Sequence, residues 1–346
     1  MSHPLLEKVR AAQQGNPLIY GLAFGILLAV VLNIMPLLNA RAKKRWMPER
    51  KNVLITGGSQ GLGLALAELL ASKGANVTIV ARNVDKLEQA LEKIKKASAS
   101  PKTQSHAYIS ADVSTFNGAK QAVKKCSQVP DTLFCCAGGA KPGHFLEQEE
   151  QDFEMGLKMD YWTALASTHA TARAMREAGV EGKIVLVSSL VGLFGLVGYS
   201  QYAPMKYAIR GLAETLRSEF LLYNITVHCY FPATILSPGF ETEQLTKPHV
   251  LKEIEKSDVP QTPAVCAARL LQGVQKGHFF ITSDWQTDLF RAATGGVAPG
   301  NGCFMDFCKS RLGRIALPIW RIFEADAIVK KHRTEAPTST PGASSS

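Results

Sequence analysis

Residues 52–83 read NVLITGGSQGLGLALAELLASKGANVTIVARN, and this stretch decides the fold. A β-branched run, Val53 to Thr56, leads into glycine-rich turns. An apolar-periodic segment, Leu62 to Ser72, predicts a helix, and a second strand, NVTIVA, ends at Arg82. Strand, turn, helix and strand in that order open a βαβ unit. Gly57, Gly61 and Gly63 fall in the first turn. Missing side chains there let a backbone approach a pyrophosphate, and the helix N-terminus adds a favourable dipole.

The alternation continues along the chain. HAYIS (His106 to Ser110) is a third strand, followed by Asp112-Val113 and a helix over Asn117 to Ser127. DTLFCCAGG is a fourth strand and glycine turn, and a helical stretch runs from about Gln148 to Ala178. KIVLVSS is a fifth strand, followed by a helix over roughly Ser200 to Tyr223; ITVHCYFPAT is a sixth strand and bend. GHFFIT, after a helix over Pro263 to Lys276, is a seventh. Strands alternating with helices predict an α/β fold, a Rossmann-type doubly wound parallel sheet of about seven strands. Ligands of such sheets sit at the carboxyl ends of the strands. Gly57 to Gly63, Arg82, Asp112, the CCAG turn, Ser189 and the Pro232 bend all fall at such ends.

At the end of the second strand a dinucleotide site reads the adenosine ribose. A carboxylate there favours NAD, and a cation accommodates the 2′-phosphate of NADP. This chain has Ala81-Arg82, with Lys86 one turn on and no acid before Asp85, which favours NADPH; solvated charges at a helix start are the plainer alternative.

The chemistry is carried by SLVGLFGLVGYSQYAPMK, residues 189–206. Tyr202 and Lys206, four apart at a helix start, lie on one face one turn apart. Ser189 stands 13 positions before the tyrosine. A hydroxyl, a phenol and an ammonium brought together can reduce a ketone: serine holds the carbonyl oxygen, tyrosine gives it a proton, and lysine keeps the phenol acidic enough. A free phenol titrates near about 10 and general acid work near neutrality wants roughly 7. The gap is about 4 kcal/mol, most of which a fixed positive charge in a water-poor site can supply. Tyr-x-x-x-Lys alone occurs by chance on many helices; the ordered pieces upstream give it meaning.

The chain has 346 residues, 46% hydrophobic and 20% charged, with a net charge of +10. The bases are scattered apart from RAKKRWMPERK (Arg41 to Lys51), and no arginine-rich or zinc-knuckle pattern supports nucleic-acid binding. Seven cysteines without a framework spacing fit a reducing compartment. Cys303 and Cys308 lack a second ligand pair, so no metal is expected. Between Arg10 and Arg41 there is no charge, and Pro17 to Leu38 spans 22 residues. As a helix this would run about 33 Å, enough to cross a hydrocarbon core. Basic residues follow at once, which puts the C-terminal bulk in the cytosol. A cleaved signal peptide, the rival reading, would be shorter and carry its bases ahead of it. Gly21-x-x-x-Gly25 would let two such helices pack closely, as in a homo-oligomer. The expected organisation is a tail (1–16), a transmembrane anchor (17–40), a basic linker (41–50), an NADPH-binding domain (51–285), a membrane-associated segment (286–333) and a disordered tail (334–346). Within Cys303 to Phe323, apolar and aromatic residues alternate with Lys309, Arg311, Arg314 and Arg321. That pattern predicts an interfacial helix, broken near Pro318, lying against anionic lipid, with a packed terminal helix as the alternative.

With these residues in view, 50–285 resembles the short-chain dehydrogenase/reductase family. TGGSQGLG resembles its cofactor turn, Asp112-Val113 its adenine contact, and VSS with YxxxK its catalytic set. The resemblance implies Ser59 and Gln60 as cofactor contacts beside the three glycines. It implies Tyr202 as proton donor, Lys206 as the group that lowers its pKa and binds the nicotinamide ribose, and Ser189, rather than Ser188, as the group that polarises the ketone. Within the family, the anchor, ARN-x3-KL, QYAPMKYAIRGLAETLRSE and the PATILSPGFE bend are most similar to reductases of a sphingoid ketone, 3-ketodihydrosphingosine. That likeness implies dihydrosphingosine as product, NADPH as reductant, and the cytosolic face of the endoplasmic reticulum membrane as the place.

Two departures from the family pattern stand out. Cys135-Cys136 replace the usual pair of asparagines, as neutral packing residues. Asp160 stands where an asparagine is common; it would hold a water near Lys206 and offset the lysine's effect on the phenol, or else receive the substrate's ammonium. Other lipid ketones (steroids, retinoids, 3-ketoacyl chains) are not distinguished by a set that touches only the carbonyl. A silent cofactor-binding scaffold is disfavoured by the intact Ser-Tyr-Lys set.

Overall fold

The computed structural model describes residues 20–27 and 46–334. Seven parallel strands form one sheet in the order β3-β2-β1-β4-β5-β6-β7: β1 Asn52–Thr56, β2 Asn76–Ala81, β3 His106–Ser110, β4 Thr132–Cys135, β5 Lys183–Val187, β6 Thr226–Phe231 and β7 Phe280–Thr282. Between the strands run α1 (Gly61–Ala71), α2 (Val84–Ala97), α3 (Phe116–Lys124), α4 (Glu150–Gly156), α5 (Thr163–Glu177) and α6 (Ala203–Glu219). After β6 come α7 (Pro238–Thr246), α8 (His249–Ile254) and α9 (Pro263–Lys276); after β7 come α10 (Trp285–Ala293), α11 (Cys303–Trp320) and α12 (Asp326–Lys331). The doubly wound parallel sheet is the one expected.

Both faces of the sheet are covered, so its strands are apolar on both sides. Leu54, Leu133, Ile184, Leu186 and Phe231 pack into one core with residues of α3, α5 and α6. Val53, Ile55, Ile79, Phe134, Val185 and Tyr230 pack into the other with α1, α2 and α9. Register sets the height of the turns. Thr56 pairs with Val80 and Cys135, and Val187 with Tyr230, so the chain leaves five neighbouring strands at one edge of the sheet.

The third strand and the helix before β7 have the expected bounds. The long helix expected from Gln148 to Ala178 is α4 and α5 joined by a π-helical turn, Leu157–Trp162. The PATILSPGFE bend contains α7, started by Ser237, whose hydroxyl accepts from the Phe240 amide, with Pro238 in the first turn. The helix expected to break near Pro318 runs through that residue; regularity is lost only at Arg321–Ala325, a π-helical turn. Proline removes one amide donor, and the helix absorbs the loss by a turn of wider winding just beyond it.

Most of the expected anchor lies outside the described residues. Within it, residues 20–27 are helical, with exposed apolar side chains. Among the described residues no helix is long and apolar enough to cross a membrane. The tail expected over 334–346 lies outside them too, apart from Thr334.

Candidate active site

The carboxyl ends of the strands open into a cavity of about 1030 Å³, lined by every residue singled out above as a cofactor contact and by Ser189, Tyr202 and Lys206. The turn after β1 is a glycine cradle. Gly57 has φ +68°, and a Cβ there would lie 2.7 Å from the Ala137 nitrogen; a Cβ at Gly63 would lie 2.3 Å from the Gly57 carbonyl oxygen. No side chain fits at either position, and the cradle leads into the N-terminus of α1. Ser59, Gln60 and Gly61 line the same wall.

Arg82 leaves the end of β2 and Lys86 the first turn of α2, both facing the cavity. Lys86 Nζ donates to Gln60 Oε1 at 3.2 Å, tying the cations to the cradle. Asp112 follows β3. Its carboxylate accepts from the Ser114 hydroxyl at 2.7 Å and the Ser114 amide at 3.0 Å, and these bonds hold it below the usual carboxylate range. A backbone cradle at a helix N-terminus, with two cations one strand away, fits a dinucleotide phosphate.

Across the cavity Tyr202 stands immediately before α6 and Lys206 in its first turn, with Lys206 Nζ 5.1 Å from the Tyr202 ring centre. The Ser189 side chain lies close enough to the Tyr202 phenol to draw its pKa down. Ser188 is committed elsewhere: its buried hydroxyl donates to the Lys206 carbonyl at 2.8 Å and holds the first turn of α6 against β5. Ser189 also lines the cavity, and its hydroxyl oxygen accepts from the Val191 amide at 3.4 Å.

Behind Lys206, fully buried on the π-helical turn, lies Asp160. Its Oδ1 is 2.9 Å from Lys206 Nζ and accepts from the Gly139 amide at 3.2 Å; its Oδ2 has no hydrogen-bond partner among the described residues. Asp160 does not line the cavity, so of the two roles expected for it the capture of a substrate ammonium is lost. Burial works against the charge on Lys206, but Asp160 and Tyr202 outweigh it and hold the ammonium above the usual lysine range. On Asp160 burial is the stronger effect and raises the carboxyl despite Lys206.

The phenol differs from expectation in sign. Burial raises the pKa of Tyr202; Lys206 pulls it down as expected, but Asp160 and Glu243 push it up, and the net shift is upward. Desolvating a phenolate costs more here than one ammonium, already paired with a carboxylate, returns. Tyr202 is thus held as a protonated donor. Cys135 is fully buried beside Thr168, and burial pushes its thiol up to about 12, so it is a neutral packing residue as expected.

No motif in the chain pointed to the opposite wall. The Tyr199 hydroxyl donates to Glu243 at 2.5 Å and Glu255 at 2.9 Å, and its ring centre is 5.6 Å from that of Tyr202. Lys247, buried, bridges the same carboxylates at 2.8 and 2.6 Å but does not line the cavity. The cavity therefore meets Glu243, Glu255 and Asp258, whose carboxyl burial raises to about 6. These residues come from α7, from the turn after α8 and from the loop beyond it, past the bend read from the sequence.

Residues 51–247 match the family model for short chain dehydrogenases. A 3-ketodihydrosphingosine reductase of Cryptococcus neoformans var. neoformans serotype D is 40% identical over 298 residues, covering 85% of this chain and 88% of that protein. One from Dictyostelium discoideum is 31% identical over 307 residues, covering 84% and 91%. Among solved structures, levodione reductase superposes with a TM-score of 0.60 at 24% identity, covering 69% of this chain and 97% of that one, which speaks to the fold alone. The chain belongs to the short-chain dehydrogenase/reductase family. It is an oxidoreductase that uses a nicotinamide cofactor, and the Cryptococcus and Dictyostelium relatives are both named for one sphingoid ketone.

Proposed function

We propose that this enzyme uses NADPH to reduce 3-ketodihydrosphingosine to dihydrosphingosine. The observation that carries the reading is the placement of Ser189, Tyr202 and Lys206 in one cavity with the glycine cradle at one end and the Glu243–Glu255 wall beside Tyr199. The cradle and Arg82 with Lys86 would hold the cofactor phosphates. Bound there, the reduced nicotinamide would supply a hydride to the carbonyl carbon. Ser189 holds the carbonyl oxygen by its hydroxyl. Tyr202 passes its phenolic proton to that oxygen as charge develops on it, and an alkoxide is the stronger base, so a phenol held above its ordinary pKa still gives up its proton. Lys206 stabilises the phenolate left behind, and Asp160 keeps Lys206 charged and fixed.

The substrate carries an amine on the carbon next to its ketone, and the acidic wall suits an ammonium there. Glu243→Gln is expected to raise KM for the aminoketone about tenfold, from one lost charge-assisted hydrogen bond. Turnover of a ketone without the amine should be nearly unchanged in steady-state assays of the same preparation. Ketosteroids, retinal and 3-ketoacyl chains lack that amine. Side-by-side turnover of 3-ketodihydrosphingosine, a ketosteroid and retinal tests the reading, and preference for either of the last two would overturn it.

NADPH is favoured by the two cations at the end of β2. Arg82→Glu is expected to lower kcat/KM for NADPH by about 10- to 100-fold, the worth of one charge-assisted contact and more, while NADH is affected severalfold at most. Cofactor titrations with both nucleotides would check it. On the same reading the enzyme sits in the endoplasmic reticulum membrane with this domain in the cytosol, so protease added to intact microsomes should digest it.

A further inference from the structure

Helix α11 has two apolar sides. At 100° per residue, Gly313, Leu317 and Trp320 fall on one side of its axis and Phe304, Leu312, Ile315 and Ile319 on the other. The first side packs inward. A Cβ at Gly313 would lie 2.8 Å from the Ala293 side chain, and Leu317 and Trp320 line the catalytic cavity. There Phe194 and Phe290 stack at 4.4 Å, and Trp320 sets its edge on both, at 5.6 and 5.8 Å. The second side covers nothing among the described residues: each of its four residues is more than half exposed.

This exposure is not fraying. Arg291, buried on α10, makes a bidentate pair with Asp306 at 2.5 and 3.0 Å. Lys309 pairs with Asp288 at 2.5 Å, and Arg321 donates to the Gly195 carbonyl at 2.7 Å. The helix is clamped with its apolar stripe turned outward. Asp306 and Lys309 are spent on the clamp, while Arg311, lying over the Phe307 ring at 5.0 Å, and Arg314 border the stripe without an ion pair among the described residues. An apolar stripe edged by cations complements a lipid surface with anionic headgroups. Trp285, which lines the cavity and is 71% exposed, marks the mouth beside this helix.

We propose that α11 lies in the surface of a bilayer bearing anionic headgroups, and that a long-chain substrate leaves that bilayer past Trp285 to seat its alkyl chain on the Phe194, Phe290 and Trp320 cluster. The proposal rests on the reading that the substrate is a long-chain ketone, and it adds the route. One helix serves as membrane contact on its outer side and as wall of the alkyl-chain site on its inner side. The substrate then need never cross water.

The test uses the full chain and two substrates: 3-ketodihydrosphingosine embedded in phosphatidylcholine vesicles, with and without phosphatidylserine, and a short-chain, water-soluble 2-amino-3-ketone. Wild-type protein should turn over the vesicle substrate faster when phosphatidylserine is present. The double variant Ile315→Glu/Ile319→Glu should lose about tenfold or more on vesicles and stay within about twofold on the soluble ketone, which also reports that it is folded. Ile315→Gln/Ile319→Gln should show a smaller loss in the same direction. Equal losses on both substrates, or no loss on vesicles, would overturn the proposal. So would a dimer that the charged variant splits while vesicle turnover is untouched, since the stripe would then belong to a second copy. Wild-type protein inactive on the soluble ketone as well would instead count against the reaction itself.

Discussion

Tyr202→Phe is expected to lower kcat for ketone reduction by about 10²- to 10⁴-fold, the range a positioned general acid contributes. The ring is retained, so its contact with Tyr199 at 5.6 Å survives, and what is lost is one hydroxyl beside Ser189. The loss should fall on kcat rather than on KM, because the proton is in motion only in the transition state. Measuring both constants against the ketone, together with a thermal unfolding curve to exclude a folding defect, would check this. A variant that kept more than a tenth of the wild-type kcat would require another proton donor.

The second large effect is at Asp160. Asp160→Ala leaves the Lys206 ammonium, only 4% exposed, without its 2.9 Å carboxylate. An uncompensated buried charge of this kind costs about 3–5 kcal/mol of folding stability, a fall visible in denaturant midpoints. Asp160→Asn removes the charge but keeps the shape, and separates stability from chemistry. Asp160 raises the pKa of both Tyr202 and Lys206, so without it both fall. Reduction needs a protonated phenol and a charged lysine, and activity is lost as pH rises through whichever titrates first. Both shifts therefore move the alkaline limb of the kcat profile to lower pH. A profile unchanged in Asp160→Asn would show that the carboxylate does not act on the proton donor. The stability sign follows the same logic. Lys206 is held above its unfolded pKa, so the stability it contributes is fully present below about 10.4 and is lost as pH rises through the folded value.

Much of this was legible in the chain because the signals are local. The glycine turn announces itself through residues that can only be glycine, and the strands through short β-branched runs bounded by turns. His106–Ser110 and Pro263–Lys276 form where the pattern placed them. Tyr202 and Lys206 could be paired by helix spacing alone. What escaped is nonlocal. Glu243 and Glu255 carry no signal in the sequence; they become a cavity wall only because α7 and the turn after α8 fold back onto Tyr199. The sign of the Tyr202 shift depends on its burial and on Glu243, which spacing does not reveal, as well as on the pull of Asp160 against Lys206, which was expected. The start of α7 did have a local signal, a serine cap followed by proline, hidden inside a stretch rich in turn formers. The inner side of α11 was masked by interspersed cations, which are turned onto Asp288 or out towards solvent while Leu317 and Trp320 reach the cavity.

In the proposed reaction this fold passes reducing equivalents from NADPH to a sphingoid ketone whose oxygen takes its proton from Tyr202. The most direct test is to incubate the full chain with 3-ketodihydrosphingosine and either NADPH or NADH, following nucleotide oxidation and weighing the product by mass spectrometry. The expected result is one dihydrosphingosine formed per NADPH consumed, with NADH at least about tenfold poorer. Folded protein that leaves both the ketone and NADPH untouched, or that turns over the ketone equally with NADH, would contradict the account.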